Sequence, residues 1–236
     1  MLNEDKAWID YRNKFSDVYD ESNYESLLQS WVMRASHKLI EKAYGDNAYF
    51  ERVLEVGAGT GEHIQFVRHK FDEYILTDLD LKTLNVARSK LAGIHEGKIK
   101  FEVQVGSELA YPDNSFDRLV ATHVLEHIYQ PHLAIKEWRR VLKGGGVISI
   151  LIPTDPGMAW RLGRHLGPRK NAIKQGFAYD YVMAREHVNS SNNLIALLRH
   201  YFPGSKESWW PMPIPSIDLN LFFVFHAIVD EQEKKT

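Results

Sequence analysis

Val53 to Ile64 read VLEVGAGTGEHI: an apolar run closing on the carboxylate of Glu55, then glycines at 57, 59 and 61. Glycine at that density costs conformational entropy. It is justified where the main chain must turn tightly against a ligand that a Cβ at Gly57 or Gly59 would strike, which also brings Ala58 to the ligand. Asp78 closes the next apolar run, 21 residues after Gly57, where a carboxylate can take both hydroxyls of a ribose. The pair describes an adenosine site. Two acids narrow the cofactor further. Glu62 stands where the dinucleotide fingerprint G-x-G-x-x-G wants its third glycine, and Glu55 beside the loop would repel a pyrophosphate while favouring an ammonium. A ribose at one end and a cationic amino acid at the other fit S-adenosylmethionine. No G-x-x-x-x-G-K-[ST] occurs, so a phosphate-cradling loop is excluded.

A second set of reactive side chains lies further on. His123, Glu126 and His127 spell H-x-x-E-H, an inverted zinc-protease order. Such a site needs both histidines on one face of a long helix and a third ligand. Here the motif follows an apolar strand and Pro131 interrupts any helix four residues later. The expected form is a loop and one short turn lining the cofactor cleft, without metal, in which His127 makes a structural hydrogen bond. From Pro156 to Gly176 there are five cations, Arg161, Arg164, Arg169, Lys170 and Lys174, and no acid, followed by Phe177, Tyr179 and Tyr181. A basic, aromatic insert suggests an acceptor with a phosphate or carboxylate and an apolar part. A solvated helical face explains the same charges. Trp160 and the stretch SWWPMPIP also permit a lipid or quinone headgroup as acceptor, which the modest hydrophobic content does not favour.

The elements that position these groups alternate. A helix is predicted from Ser22, with Ser22 and Glu25 as a capping box and Leu28, Trp31, Val32, Ala35, Leu39 and Ile40 as its apolar face, up to Gly45. A strand follows at Arg52–Val56, a helix from about Gly61 to Lys70, a strand ending at Asp78, and a helix from Asp80 to Leu91. Strands are predicted at Ile99–Val105, Phe116–His123 and Val147–Pro153, with a helix opened by Pro131 and stopped at Gly144. A helix is predicted at Ser191–Tyr201, and the stretches KESWWPM and LNLFFVFHAIV follow it. This alternation means a doubly wound, mostly parallel α/β sheet with right-handed crossovers, whose ligands sit outside the carboxyl ends of the strands. The 236 residues are read as one domain: an N-terminal helical segment to residue 45, a cofactor-binding core at 52–153, an acceptor-side insert at 154–190, and a last helix and strand pair at 191–229.

Composition bounds the function. A formal charge of -2 gives no general attraction to nucleic acid. Zero cysteines exclude disulfides, thiolate metal sites and iron–sulfur clusters, and with them radical sulfonium chemistry. The start MLNEDKAWIDYRNK lacks the apolar core of a secretory signal, and no run reaches the roughly 18 apolar residues of a membrane span, so a cytoplasmic protein without stable membrane insertion is expected.

VLEVGAGTGEHI, ILTDLD, and LAYPDNSFDRLVATHVLEHI followed by AIKEWRRVLKGGGVISILIP resemble, in order and spacing, the motifs of class I S-adenosylmethionine-dependent methyltransferases of the small-molecule subgroup. The resemblance covers about Arg52 to Pro153 and implies a Rossmann-like sheet of order 3-2-1-4-5-7-6 with strand seven antiparallel. It implies that Glu55, Gly57 and Gly59 hold the methionine end, Asp78 the ribose, and that Leu79 packs on adenine. It places Thr122 and His123 near the methionine moiety. The acid that often binds the adenine amino group is replaced by Val105, which leaves Gly106, Gln104 or Ser107 for that contact. His187, in REHVNS, matches a Glu-His pair that often faces the cleft in relatives and is the candidate base. Arg161, Tyr179 and Tyr19 are candidate acceptor contacts, Tyr19 as one of the aromatics Trp8, Tyr11, Phe15, Tyr19 and Tyr24 of an N-terminal lid. The implied reaction moves a methyl group to N or O of a small molecule and leaves S-adenosylhomocysteine. Nucleic acid is further disfavoured because THVLEH stands where base methylators carry an Asn/Asp-Pro-Pro-aromatic box.

Overall fold

Seven strands form one sheet in the order β3-β2-β1-β4-β5-β7-β6 in a computed structural model that describes residues 7–9, 11 and 27–230. They are β1 Tyr49–Val56, β2 Lys70–Asp78, β3 Ile99–Val103, β4 Phe116–Thr122, β5 Leu142–Pro153, β6 Lys206–Trp210 and β7 Phe222–Ile228. All neighbours pair in parallel except β7, which is antiparallel to β5 and β6. The order is the one the resemblance implies.

Alternation along the strands splits the core into two layers. Leu54, Leu119, Ile148, Ile150, Phe223 and Phe225 face α3 (Pro131–Val141) and α7 (Ser191–Tyr201). Helix α3 begins with Pro131 at its first turn and buries Ala134, Ile135, Trp138 and Val141 at helical spacing. Helix α7 is capped by Ser190, whose side chain accepts from the Asn193 amide. Val53, Tyr74, Leu76, Val120, Leu151, Phe222 and Val224 line the other layer, toward Ile40 of α1 (Leu27–Glu41) and Leu91 after α2 (Leu81–Lys90).

Four expectations about elements are corrected. The helix expected at 61–70 is only a 3-10 turn, His63–Phe66: Val67 is extended, and Lys70 and Phe71 pair with Tyr49 and Phe50 of β1. Strand pairing overrides local helical pattern there. Strand β3 stops at Val103, and the Glu108 amide donates to the Val105 carbonyl at 2.8 Å to turn the chain. Strand β4 stops at Thr122 because His123 takes φ 58°. Helix α1 keeps Ile40 buried and Val32 and Leu39 packed on the core as expected, but Trp31 is 59% exposed and the polar Ser36, His37 and Glu41 are buried beside that stripe. The capping box of Ser22 and Glu25 lies outside the described residues, as do Phe15, Tyr19 and Tyr24. No helix of the described residues is long and apolar enough to cross a membrane.

The polar face of α1 has matching partners. Glu55, Arg118, Ser149 and His226, one each from β1, β4, β5 and β7, present polar groups to it. Arg118 is fully buried and donates twice to Glu41, at 2.6 and 3.0 Å; its Nε donates to Ser149 at 3.3 Å. His63 Nε2 lies 3.0 Å from Glu41 Oε1, and His37 Nδ1 lies 3.2 Å from His63 Nδ1. Burial pushes the Glu41 carboxyl up, but Arg118 and His63 outweigh it and hold the group well below the usual carboxylate range.

Candidate active site at the strand ends

The turns after β1 and β2 are tied to each other. The Ala58 amide donates to the Thr77 carbonyl, and the Gly59 amide donates to Asp78 Oδ2, both at 2.9 Å; Asp78 Oδ1 accepts from the Asp80 amide at 3.0 Å. Each carboxylate oxygen keeps a lone pair for a further donor. Gly57 has φ 69°, and a Cβ there would stand 2.4 Å from Val124 Cγ2, so the loop closes on the segment after β4 as well as turning. Glu55 is buried beside this turn, where it accepts from Tyr74 Oη at 2.8 Å; burial raises its carboxyl, against the opposing pull of His63. Leu79 is 70% exposed and Val105 46% exposed on either side of Asp78. Gly106 accepts from Trp138 Nε1 at 2.7 Å, and Gln104 Oε1 is taken by the Ala110 amide at 3.1 Å. That leaves the half-buried Ser107 as the one side chain of the three with no partner shown.

The insert folds into α4 (Met158–Leu166), α5 (Pro168–Lys174) and α6 (Tyr179–Glu186). His187 Nδ1 lies 2.8 Å from Asp155 Oδ2, which also accepts from Arg164 Nη1 at 3.0 Å, and Arg164 Nε donates to Tyr179 Oη at 3.2 Å. Burial raises the Asp155 carboxyl, but His187 and Arg164 bring it below its ordinary value. The segment around His187 is clasped to the turn after β4. The Val188 amide donates to Glu126 O at 2.9 Å, and Asn189 Nδ2 reaches the carbonyls of Leu125 and Ile128 at 2.9 and 2.6 Å.

His123, Glu126 and His127 cluster at the end of β4. Glu126 Oε1 lies 3.8 Å from His123 Nδ1 and from His127 Nε2, while its buried Oε2 has no partner. Burial raises the Glu126 carboxyl, against His127 and His187. His127 is lowered by burial but raised more by Glu186, whose carboxylate lies 3.2 Å away. The rings continue from His127 to His187 at 5.1 Å, to Trp160 at 6.4 Å, to Phe222 at 5.9 Å and back to His123 at 5.4 Å. Trp160 Nε1 is also buried without a partner. Two orphaned polar atoms on one circuit of side chains are the mark of a site completed by a polar ligand. Among the described residues no group of three or more His, Asp or Glu is arranged to hold a metal ion.

The structure therefore brings Glu55, Gly57, Ala58, Gly59, Asp78, Leu79, Gly106 and Ser107 to one end of the sheet, with Thr122 and His123 at the end of β4. Tyr179 and His187 meet through Arg164 and Asp155. Arg161 is exposed, and Tyr19 lies outside the described residues. The charged insert does not converge on a ligand as expected: Arg164 pairs with Asp155 and Arg169 with Asp180. Trp8 and Tyr11 pack on the insert, Trp8 under Arg185 at 4.1 Å and Tyr11 edge-on to Phe177 at 6.4 Å. Asp155 and Asn189 escaped the sequence reading, although Asp155 follows a strand end and Asn189 lies within REHVNS.

Buried histidines make the fold acid-sensitive. Burial, aided by Arg118, pushes His69 and His226 down to about 4; burial, aided by His127, His187 and His63, pushes His123 down to about 3. Below pH 6.5 the unfolded chain binds these protons and the folded chain does not, so stability falls with pH from 6.5 toward 4. At about 1.4 kcal/mol per unit and group, and with the raised Glu55 and Glu126 acting in the opposite sense, lowering the pH from 7.5 to 5.5 should remove about 2 to 4 kcal/mol. Urea unfolding at the two pH values measures it; an unchanged midpoint would mean that these rings are solvated.

A family model described as a methyltransferase domain matches residues 54–150. A demethylmenaquinone methyltransferase of Clavibacter sepedonicus is 31% identical over 100 residues, covering 42% of this chain and 40% of that protein. A ubiquinone/menaquinone biosynthesis C-methyltransferase of Vibrio campbellii is 35% identical over 111 residues, 45% of this chain and 42% of that protein. The chain thus spans less than half the length of these curated relatives. Among solved structures, the YcgJ protein of Bacillus subtilis superposes with a TM-score of 0.58 at 18% identity, over 84% of this chain and 99% of that one. Phosphoethanolamine N-methyltransferase 2 of Haemonchus contortus, solved with S-adenosyl-L-methionine, gives 0.58 at 13% identity, over 84% and 53%. At these identities the structures establish the shared fold.

Proposed function

We propose that the chain is a class I S-adenosylmethionine-dependent methyltransferase that methylates a small acceptor molecule and releases S-adenosylhomocysteine, a reading supported by the methyltransferase-domain match over residues 54–150. The observation that carries this is the bond from the Gly59 amide to Asp78, which joins the glycine turn and the ribose-binding carboxylate into one site beside β1, between the outward crossovers to β2 and β4. The residues fit the cofactor. Asp78 has lone pairs left for two hydroxyls, exposed Leu79 and Val105 offer an apolar surface to adenine, and Ser107 and the Gly106 main chain remain for its polar edge. The main chain at Gly57–Gly59 with Glu55 beneath receives the methionine end, and Thr122 and His123 border it.

When bound, S-adenosylmethionine supplies a sulfonium methyl that is already electrophilic, so the chain's task is alignment, exclusion of water and removal of one proton. Asp155 accepts from His187 Nδ1–H, which leaves Nε2 as the basic nitrogen. It takes the proton of an acceptor N–H or O–H, or of a hydroxyl that makes a neighbouring carbon nucleophilic. Trp160 Nε1 and Glu126 are the free polar groups beside it. With Arg164 and Arg169 already paired, an anionic group on the acceptor has no support from those two arginines.

Calorimetry tests the reading. S-adenosylmethionine and S-adenosylhomocysteine should both bind, and Asp78→Ala should weaken each by about 1 to 3 kcal/mol. No heat at millimolar cofactor, or full affinity in the variant, would remove it.

A further inference from the structure

Helices α4 and α5 bury none of their residues completely. Met158, Leu162 and Leu166, four residues apart along α4, form one exposed stripe at 65%, 59% and 65%, and Ile173 of α5 is 49% exposed. Arg161 and His165 lie on the adjoining exposed row of α4, and Lys170 and Lys174 are exposed on α5. The opposite side of α4 is engaged with the site: Trp160 stacks toward His187 and Arg164 bonds Asp155. Next to the start of α4 runs a second exposed apolar segment. Asp218 accepts from the Met158 amide at 3.0 Å and its carbonyl from the Ala159 amide at 2.9 Å, and the loop around it exposes Met212, Ile214 and Leu219 at 43%, 46% and 46%.

Charge says what covers this face. Residues 156–179 hold five cations and no acid, so the rest of a chain of formal charge -2 carries -7 (-2 less +5). Helices α4 and α5 hold no carboxylate, and an apolar stripe bordered by exposed Arg161, Lys170 and Lys174 matches an anionic lipid surface, where side-chain stems bury among acyl chains and the charges meet headgroups. A second copy of the chain would set these cations against their like.

We propose that α4, α5 and the 212–219 loop dock on an anionic membrane surface, and, resting on the methyltransferase reading, that the acceptor is lipid-borne and enters past the inner face of α4. The expectation that Trp160 marks a membrane contact is thereby altered: Trp160 faces the site, and Met158, Leu162 and Leu166 face the bilayer.

Flotation of the full chain with vesicles decides it. The chain should float with vesicles of phosphatidylcholine and phosphatidylglycerol, less so as salt rises, and stay behind with phosphatidylcholine alone. Leu162→Glu with Leu166→Glu should abolish flotation, and Lys170→Gln with Lys174→Gln should weaken it roughly 10- to 30-fold. These side chains are exposed and outside the site, so cofactor binding by calorimetry should be unchanged in all variants. Absence of flotation, or flotation indifferent to Leu162→Glu with Leu166→Glu, overturns the proposal. So does a dimer in sedimentation that this pair of changes dissolves without any vesicle binding. Failure here with intact cofactor binding leaves the methyltransferase reading standing, and loss of cofactor binding in the unchanged chain strikes that reading instead.

Discussion

Arg118→Met should lower the unfolding free energy by about 3 to 5 kcal/mol, because it leaves the Glu41 carboxylate buried without the guanidinium that neutralises it. Both side chains are almost inaccessible, 0% and 2%, so water cannot take over. For a chain of this size that is a fall in Tm of roughly 6 to 20 °C. Replacing both partners, Arg118→Met with Glu41→Leu, should recover much of the loss, since the desolvated charge is then gone from each side. His63 would keep a smaller deficit, having lost its contact with Glu41. Thermal unfolding of the two variants checks this, and a loss under about 1 kcal/mol for the single change would show that the pair is hydrated in solution.

His187→Ala should reduce kcat for methyl transfer by about two to four orders of magnitude while leaving the affinity for S-adenosylmethionine within a factor of two or so. The reason is the placing of Asp155, 2.8 Å from Nδ1, which holds the ring in one tautomer and stabilises its cation once a proton has moved. Asp155→Asn should keep the ring in place but remove the carboxylate that stabilises its cation, lowering kcat less than loss of the ring does. Tritium transfer from methyl-labelled S-adenosylmethionine into a panel of hydroquinones, phenols and amines, presented in vesicles, supplies the readout. An alanine variant of undiminished kcat would mean that the acceptor arrives already deprotonated.

The turns and ends of the strands from β1 to β4 were legible because their constraints are local. Gly57 must have positive φ, Asp78 must end a strand, and Pro131 must open a helix; each leaves a residue type at a fixed spacing. Helix α7 was legible by its apolar stripe, and strand β7 as an apolar run, FFVF, in the place the resemblance gives a last strand. What escaped depends on partners distant in sequence. Nothing near Glu41 announces Arg118, 77 residues away, and the apolar stripe of α1 gives no sign that the same helix also buries Ser36, His37 and Glu41 against polar groups of the sheet. The sign was present, in hindsight, as a charged residue at an inward position of FDRLVAT. Likewise the turn after Gly61 reads as a helix until β2 is seen to claim Lys70 for pairing.

Asp155 and His187 lie 32 residues apart and close the insert at its base, while Asn189 pins the returning chain to the turn after β4. Everything between them hangs from a fixed clip. For a chain segment closed in this way the entropic cost grows slowly, by about 0.6 kcal/mol for each doubling of length. The insert can accordingly be shortened, lengthened or exchanged as a cassette: an engineer, or a duplication in a genome, could refit it while the Asp155–His187 pair and the glycine turn stay where they are.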